Sequence, residues 1–246
     1  RPPRSTLFPY TTLFRSQGAH SKLIMDHLPD GTERILYVGS GSGSLALKLI
    51  NKGFQVDCVI PSEFLAEQVQ AKLGDRSTIH ICGFESVADS EKYDLILFSE
   101  SFQYVKLGKS LEKITNMLNP GGYLLICDFF KREGLGKSPM GGGHSWQLFR
   151  DKIDAYPLCL ISDQDITEET APTIDLMAKF NTDVVTPLAE MSVEYLIDHY
   201  PQLSKLFRWK FRKRLDKIHN IYLSGAVNGD SFKQFKKYHL LVYERR

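Results

Sequence analysis

Residues 35–43, Ile-Leu-Tyr-Val-Gly-Ser-Gly-Ser-Gly, run directly into Ser44-Leu45-Ala46-Leu47-Lys48-Leu49-Ile50. An apolar run ends in glycines at 39, 41 and 43, and a helical pattern with Leu45, Leu49 and Ile50 on one face starts at once. That is a strand, a tight turn and a helix start. Glycines in such a turn adopt backbone angles that other residues resist, and they let the main chain approach a ligand at the positive end of the helix. The pattern suits a nucleotide-like ligand, although a turn also carries glycines for its geometry alone. Spacing narrows the choice. The dinucleotide fingerprint places its third glycine, or an alanine, where this chain has Ser44, whereas here the third glycine is Gly43.

Outward from this turn, apolar runs predict strands at 34–39, 55–60, 78–82, 93–99, 122–128, 157–163 and 238–244, with helices filling the first four intervals. Such alternation gives a parallel sheet wound on both faces, with ligands at the carboxyl ends of its strands. A short helix is expected from Gln17 to Leu28, stopped by Pro29-Asp30-Gly31.

The G-x-G-x-G of residues 39–43 resembles motif I of the class I methyltransferases, which bind S-adenosylmethionine. Tyr93-Asp94-Leu95-Ile96-Leu97-Phe98-Ser99-Glu100 looks like that family's fourth strand, and Asn119-Pro120-Gly121-Gly122-Tyr123-Leu124-Leu125-Ile126 like its L-x-P-G-G entry to the fifth. The three occur in the family's order and cover residues 20–163. The resemblance implies a Rossmann-like α/β fold with a seven-stranded, mostly parallel sheet in the order 3-2-1-4-5-7-6, its last strand antiparallel. It also implies S-adenosylmethionine as cofactor. Gly39, Ser40, Gly41 and Gly43 would line the methionine and ribose portion, Phe84 and Glu85 would flank adenine, and Ser99 and Glu100 would meet the methionine end. Phe84 reads equally as core, and Glu85 as a helix-start acid.

Two positions depart from the family pattern. Tyr37 stands where an acid often precedes the first glycine, and Ile60 where the second strand usually ends in an acid for the ribose hydroxyls. Ser62 and Glu63 stand nearby as substitute partners. Substrate-facing candidates are Ser101-Phe102-Gln103-Tyr104, after the fourth strand, and Met140-Gly141-Gly142-Gly143-His144-Ser145, after the fifth. Methyl transfer is an in-line displacement, so the protein mainly positions reactants and removes a proton. His144 titrates near neutrality and is the first candidate for that proton, with Tyr104 second; Gln103 and Gly143 are expected to face substrate. His144 reads also as a helix cap, and Tyr104 as packing. The chain lacks Asn/Asp-Pro-Pro-Tyr after the fourth strand and a Pro-Cys nucleophile, which argues against nucleic-acid bases and for a small-molecule substrate. The layout is similar to the ubiquinone, tocopherol and sterol group of methyltransferases, whose acceptors are carbon, nitrogen or oxygen.

Residues 1–16 read as a non-native leader, since 6–16 match the translation of a sequencing-library adapter. The expected domains are a core over 17–163, a helical insertion or cap over 164–236, and a last core strand over 237–246. In the insertion, Leu203, Phe207, Phe211, Leu215, Ile218 and Tyr222 make one apolar stripe opposite a basic face over 205–217. Cys58, Cys82, Cys127 and Cys159 lie in apolar runs without C-x-x-C pairs, which fits buried thiols and a cytoplasmic setting. Histidines are scattered, so no metal site is expected. No apolar run reaches the roughly 18 residues that a membrane span needs. A net charge of +2, with 42% hydrophobic and 24% charged residues, is that of an ordinary globular chain. The expected activity is S-adenosylmethionine-dependent methyl transfer to a small molecule. The competing readings are a degenerate binding module, motivated by Tyr37 and Ile60, an RNA methyltransferase using the basic 205–217 face, and lastly a nicotinamide-dependent oxidoreductase.

Overall fold

The computed structural model describes residues 18–136, 138–202, 205, 209–212 and 226–246. They fall into two compact units, one of Gly18–Glu133, Gly142–Ile166 and Lys236–Arg246, the other containing Gly134–Gly141 and Thr167–Phe235. The first unit carries the sheet. Its elements are α1 (18–26), β1 (Arg34–Val38), α2 (Ser44–Asn51), β2 (Gln55–Val59), α3 (Glu63–Leu73), β3 (Ile79–His80), β4 (Tyr93–Ser99), α4 (Leu107–Met117), β5 (Leu118–Lys131), α5 (Trp146–Ile153), β6 (Leu158–Asp165) and β7 (Lys236–Arg245). The strand order is β3-β2-β1-β4-β5-β7-β6, as the resemblance implied. β1 through β5 are parallel, and β7 runs antiparallel to both β5 and β6.

Parallel strands are covered on both faces and therefore read as continuous apolar runs. In β4, Leu95, Ile96, Leu97 and Phe98 are all 0% exposed. Helices bury one stripe each: Leu45, Ala46 and Leu49 in α2, and Leu107, Leu111 and Ile114 in α4, spaced by four and three residues. The core gathers Leu36, Phe98, Phe102, Leu124, Phe130 and Phe149 from strands, turns and α5.

Element bounds differ from the expected ones at β3 and β5. β3 holds only two residues, since its pairing with β2 is limited to Cys58↔Ile79 and Val59↔His80. β5 is longer at both ends. Its start pairs Tyr93↔Leu118 and then Leu95↔Tyr123, so Asn119–Gly122 bulge out of the ladder. At Gly122 a Cβ would lie 2.9 Å from the Asn119 carbonyl and 3.2 Å from that of Asp94, which requires glycine there. The Asp94 carboxylate accepts from the Glu33 and Arg34 N–H groups and the Asn119 side chain, tying the bulge to the start of β1. The far end extends because β7 stays paired through Lys131↔Lys236.

In the second unit α6 (Thr167–Phe180), a π turn (Asn181–Val185) and α7 (Thr186–His199) follow one another, and α8 (Gly229–Phe235) packs on α6. The Asp175 carboxylate accepts from the Gly229 N–H at 2.6 Å, and Lys233 pairs with Glu168 at 3.3 Å. Most of the expected apolar stripe and basic face at 203–222 lies outside the described residues. No described helix is long and apolar enough to cross a membrane.

Candidate functional site

At the carboxyl end of β1 the three glycines play two different parts. Gly39, Gly41 and Gly43 have φ of 73°, 55° and 73°, the left-handed region where a Cβ is disfavoured. A Cβ on Gly39 would come 2.4 Å from the Ser101 Cβ, and one on Gly43 3.1 Å from Val69. Those two glycines serve packing. A Cβ on Gly41 would meet nothing within 4 Å, so this glycine borders open space. The Gly39 N–H donates to the Val59 carbonyl at 2.8 Å and the Ser101 hydroxyl donates to that of Val38 at 2.5 Å, fixing the turn between β2 and the segment after β4. Ser40 is buried, with its hydroxyl beside the Cys58 thiol.

The end of β2 offers no acid. Ile60 is buried, while Ser62 caps α3 by accepting from the Leu65 N–H at 3.4 Å, and Glu63 is an exposed acid in the first turn of α3. The acid of this strand is Asp57, buried and committed to Arg34 at 3.0 Å, the Tyr93 hydroxyl at 3.0 Å and the Thr78 N–H at 3.2 Å. Phe84 belongs to the core, with its ring 5.3 Å from that of Phe98 in an edge-to-face contact. Glu85 accepts from the Lys106 N–H at 2.6 Å. Burial pushes its carboxyl up, but the hydrogen bonds it accepts outweigh this and leave it below the ordinary value.

At the ends of β4 and β5 a polar network assembles from distant positions. Ser99 Oγ lies 2.9 Å from His20 Nε2, and the Tyr37 hydroxyl reaches the same serine. Glu100 is the one described non-glycine residue with a positive φ, 56°, and its carboxylate accepts from the Tyr238 hydroxyl at 3.1 Å. His20 also lies 3.9 Å from the Cys127 sulfur and meets Tyr238 edge-on. Burial holds its imidazole below the ordinary value, against the pull of Glu100. Burial raises both the Tyr37 and Tyr238 phenols, so the two stay protonated donors.

Asp128, at 1% exposure, accepts from the main-chain N–H groups of Gln103 at 3.0 Å and Phe129 at 2.8 Å, and from the Gln103 side chain at 3.4 Å. Burial outweighs these bonds and pushes its carboxyl up to about 7, with nearby Glu100 adding to the rise. The turn it holds, Phe102–Tyr104, carries three residues of the segment expected to face substrate. Tyr104 is 79% exposed there, whereas Phe102 is core. The loop before α5 meets this turn. His144 Nε2 donates to the Phe102 carbonyl at 3.0 Å, and Cβ atoms on Gly142 and Gly143 would lie 2.2 Å from Gln103 Oε1 and 3.0 Å from the Phe129 carbonyl. Burial holds the His144 imidazole below its ordinary value, so it is a neutral group at physiological pH.

The two segments flagged in the sequence as substrate-facing therefore touch, through Gln103 with Gly142 and Phe102 with His144, while Gly143 packs on Phe129. Ser99 and Glu100 stand with His20, Cys127, Asp128 and Tyr238, which sequence reasoning missed. Asp128 alone left a signal, as the first acid after the apolar run of β5. His20 lies 79 positions from Ser99 and Tyr238 138 from Glu100, separations that no local pattern encodes. Among the described residues no group of three His, Cys, Asp or Glu is placed to hold a metal.

Residues 36–126 match the model of a family described as "Methyltransferase domain". An uncharacterised methyltransferase of Mycobacterium tuberculosis is 26% identical over 109 residues, which are 44% of this chain and 45% of that protein. A malonyl-(acyl-carrier protein) O-methyltransferase of Ilyobacter polytropus is 29% identical over 102 residues, 39% of each. The chain thus spans less than half the length of these curated relatives. Among solved structures, geranyl diphosphate C-methyltransferase of Streptomyces coelicolor, crystallised with S-adenosylhomocysteine, superposes with a TM-score of 0.72 at 17% identity, covering 100% of this chain and 88% of that one. The cyclopropane synthase MmaA2 of Mycobacterium tuberculosis gives 0.66 at 16% identity, covering 93% and 81%. At such identity these two report the fold.

Proposed function

We propose, for a chain that carries a class I methyltransferase domain, S-adenosylmethionine-dependent methyl transfer to a small-molecule acceptor. The observation that carries the reading is the glycine turn, in which Gly39 and Gly43 are packed tight while Gly41 faces open space. The residues present fit such a cofactor. Main chain lies open at Gly41, and the exposed Glu100 carboxylate stands at the end of the neighbouring strand. S-adenosylmethionine, when bound, supplies a methyl group on an electrophilic sulfonium.

The protein's own part is positioning and proton removal. Gly39, Ser40, Gly41 and Gly43 offer main chain to the cofactor, and Ser99 and Glu100 face its methionine end. Glu63 is the acid left to approach the ribose, since Ser62 is used in capping α3. Gln103, Tyr104, Gly143 and His144 form the acceptor side. His144, neutral and joined to the Phe102 carbonyl, is the group proposed to take the acceptor's proton, with Tyr104 as the exposed alternative. The acceptor's nucleophilic atom forms the new bond to carbon while the sulfur keeps the electron pair of the broken one.

A second reading has one observation in its favour. Ile60 and Tyr37, where acids are common in the family, are both buried here. A structurally similar protein, SpnF, is described as a 4+2 cyclase, with a TM-score of 0.67 at 16% identity, so the fold is not tied to methyl transfer. The alternative is a module of this fold without methyl-transfer activity. Calorimetric titration with S-adenosylmethionine and S-adenosylhomocysteine, with NADH as control, tests the proposal. Micromolar binding of the first two and none of NADH is expected; a folded protein that binds neither sinks it.

A further inference from the structure

Lys236 opens β7 and is 0% exposed, a position at which an ammonium is costly to hold. The strand register sets it across from Lys131, so a like charge stands opposite. Burial, with Lys131 adding to it, pushes the ammonium down to about 8, which still leaves it charged at neutral pH. A methionine would fill this place without either cost. What methionine lacks is the hydrogen bond. Lys236 Nζ donates to the Gly142 carbonyl at 2.7 Å and stands 5.1 Å from the centre of the Phe129 ring, whose face favours a cation. Arg132 Nε donates to the Lys236 carbonyl at 2.9 Å and fixes the main chain behind it.

The bond from Lys236 reaches a segment that is expensive to fix. Gly142 and Gly143, with φ of 74° and 78°, are left-handed in succession, and glycine loses more freedom on being ordered than any other residue. His144 follows them directly. Its carbonyl accepts from the Lys131 N–H at 2.8 Å, and its imidazole donates to the Phe102 carbonyl at 3.0 Å. The Ser145 hydroxyl donates to the Glu133 carboxylate at 2.5 Å. The chain from Gly142 to Ser145 is thus tied to β5, to β7 and to the turn after β4, and Lys236 supplies the tie on the glycine side.

We propose that Lys236 is a positioning residue of the acceptor side, holding the Gly142 carbonyl so that His144 keeps its place on the Phe102 turn before any acceptor arrives. This rests on the reading of His144 as the group that takes the acceptor's proton, and deepens it. A base fixed in advance needs no ordering at the moment of reaction. Charge suits the task, since a hydrogen bond from an ammonium is stronger than one from a neutral donor. Gly142 is exposed, so its carbonyl turns to water once the ammonium is removed.

The test is hydrogen exchange, imidazole titration by nuclear magnetic resonance and thermal melting of the parent chain and of Lys236→Met, with His144→Ala to assign the imidazole. The Lys131 amide, which donates to the His144 carbonyl, reports the tie directly. In Lys236→Met it should exchange at least about tenfold faster, the scale of one hydrogen bond from a charged group. The His144 imidazole, held low by burial in the parent, should rise toward its ordinary value of about 6.5. The melting temperature should stay level or rise, because a buried charge has been exchanged for an apolar side chain. An unchanged Lys131 amide together with an unchanged His144 titration overturns the inference. So does a fall in melting temperature with all sheet amides quickened, or a variant that fails to fold, since either marks Lys236 as merely structural. The parent alone can refute it, through an unprotected Lys131 amide and a His144 imidazole at its ordinary value. Calorimetry with S-adenosylhomocysteine examines the premise separately. Lys236→Met should bind it as the parent does, and weaker binding would place Lys236 at the cofactor instead. A folded parent that binds none overturns the methyl-transfer reading and the inference with it.

Discussion

Asp128 accepts hydrogen bonds from Gln103 and Phe129 and has almost no contact with water, a combination in which burial wins. Its carboxyl is raised to about 7 in the folded protein, against an ordinary aspartate value near 4 in the unfolded chain. Between those values the native state binds the extra proton. Stability from this group is therefore full below about pH 4 and is lost as pH rises to 7, a change on the order of 4 kcal/mol. His20 and His144, both lowered by burial, act in the opposite sense and only below about pH 6.5. Glu100, Cys127 and Tyr238 are the ionisable neighbours, and of these Glu100 carries the charge that opposes ionisation. Calorimetric melting should show the parent losing more stability between pH 5.5 and 8 than Asp128→Asn, which removes the titration. Equal pH profiles in the two would mean that the Asp128 carboxyl is ionised throughout.

His144 makes a second prediction at this scale. Its imidazole bonds main chain of the Phe102–Tyr104 turn and stands outside the glycine turn. His144→Ala should keep S-adenosylhomocysteine affinity within about twofold and, with an acceptor in hand, lower turnover by about a hundredfold or more, the usual scale of general-base catalysis. Turnover at the parent rate would remove the assigned role.

Elements separate glycines that look alike as letters. Gly41→Val keeps a folded chain, because the new side chain meets open space and the left-handed φ costs about 1–2 kcal/mol. It should nonetheless abolish cofactor binding, since that space is the one proposed for the ligand. Gly39→Val faces both a left-handed φ and a 2.4 Å approach to Ser101, and should cost about 2–5 kcal/mol. Denaturant unfolding of both variants, with titration of whichever folds, checks the contrast. The same scale shows what the sequence could tell. Strand order and the antiparallel last strand followed from the family resemblance, and the span of β4 was legible because parallel strands buried on two faces leave unbroken apolar runs. The length of β5 was not, because it is set by pairing with β7, more than a hundred residues on. Pro120-Gly121-Gly122 read as a lead-in to a strand and is a bulge within the ladder, held by Asp94 and Asn119. Among the candidate residues, the glycine turn and the two segments after β4 and β5 stood out as motifs, and the structure brings those two segments into contact. Phe84 was not separable from core by its letters, and the His20, Cys127 and Tyr238 contacts exist only once α1, β5 and β7 converge.

For the whole molecule the cofactor becomes a term in stability. A ligand that binds the native state and not the unfolded chain stabilises by RT ln(1 + [L]/Kd), about 2.7 kcal/mol at a hundred times Kd. In a chain of this size each kcal/mol moves the melting temperature by about 2–4 °C, so saturating S-adenosylhomocysteine should raise it by about 5–10 °C. The expectation is specific to the sheet unit, where every proposed cofactor residue lies: Gly39 to Gly43 after β1, Glu63 in α3, and Ser99 and Glu100 at the end of β4. The second unit, with Gly229 held by Asp175 and Lys233 by Glu168, contributes none of them. Hydrogen exchange in saturating S-adenosylhomocysteine should therefore slow first at amides 39–43 and 99–103. Glu100→Gln should lose protection at those amides while α8 exchanges as in the parent. Uniform slowing across both units would instead mean global stabilisation alone, and slowing confined to Thr167–Phe235 would place the ligand away from the glycine turn.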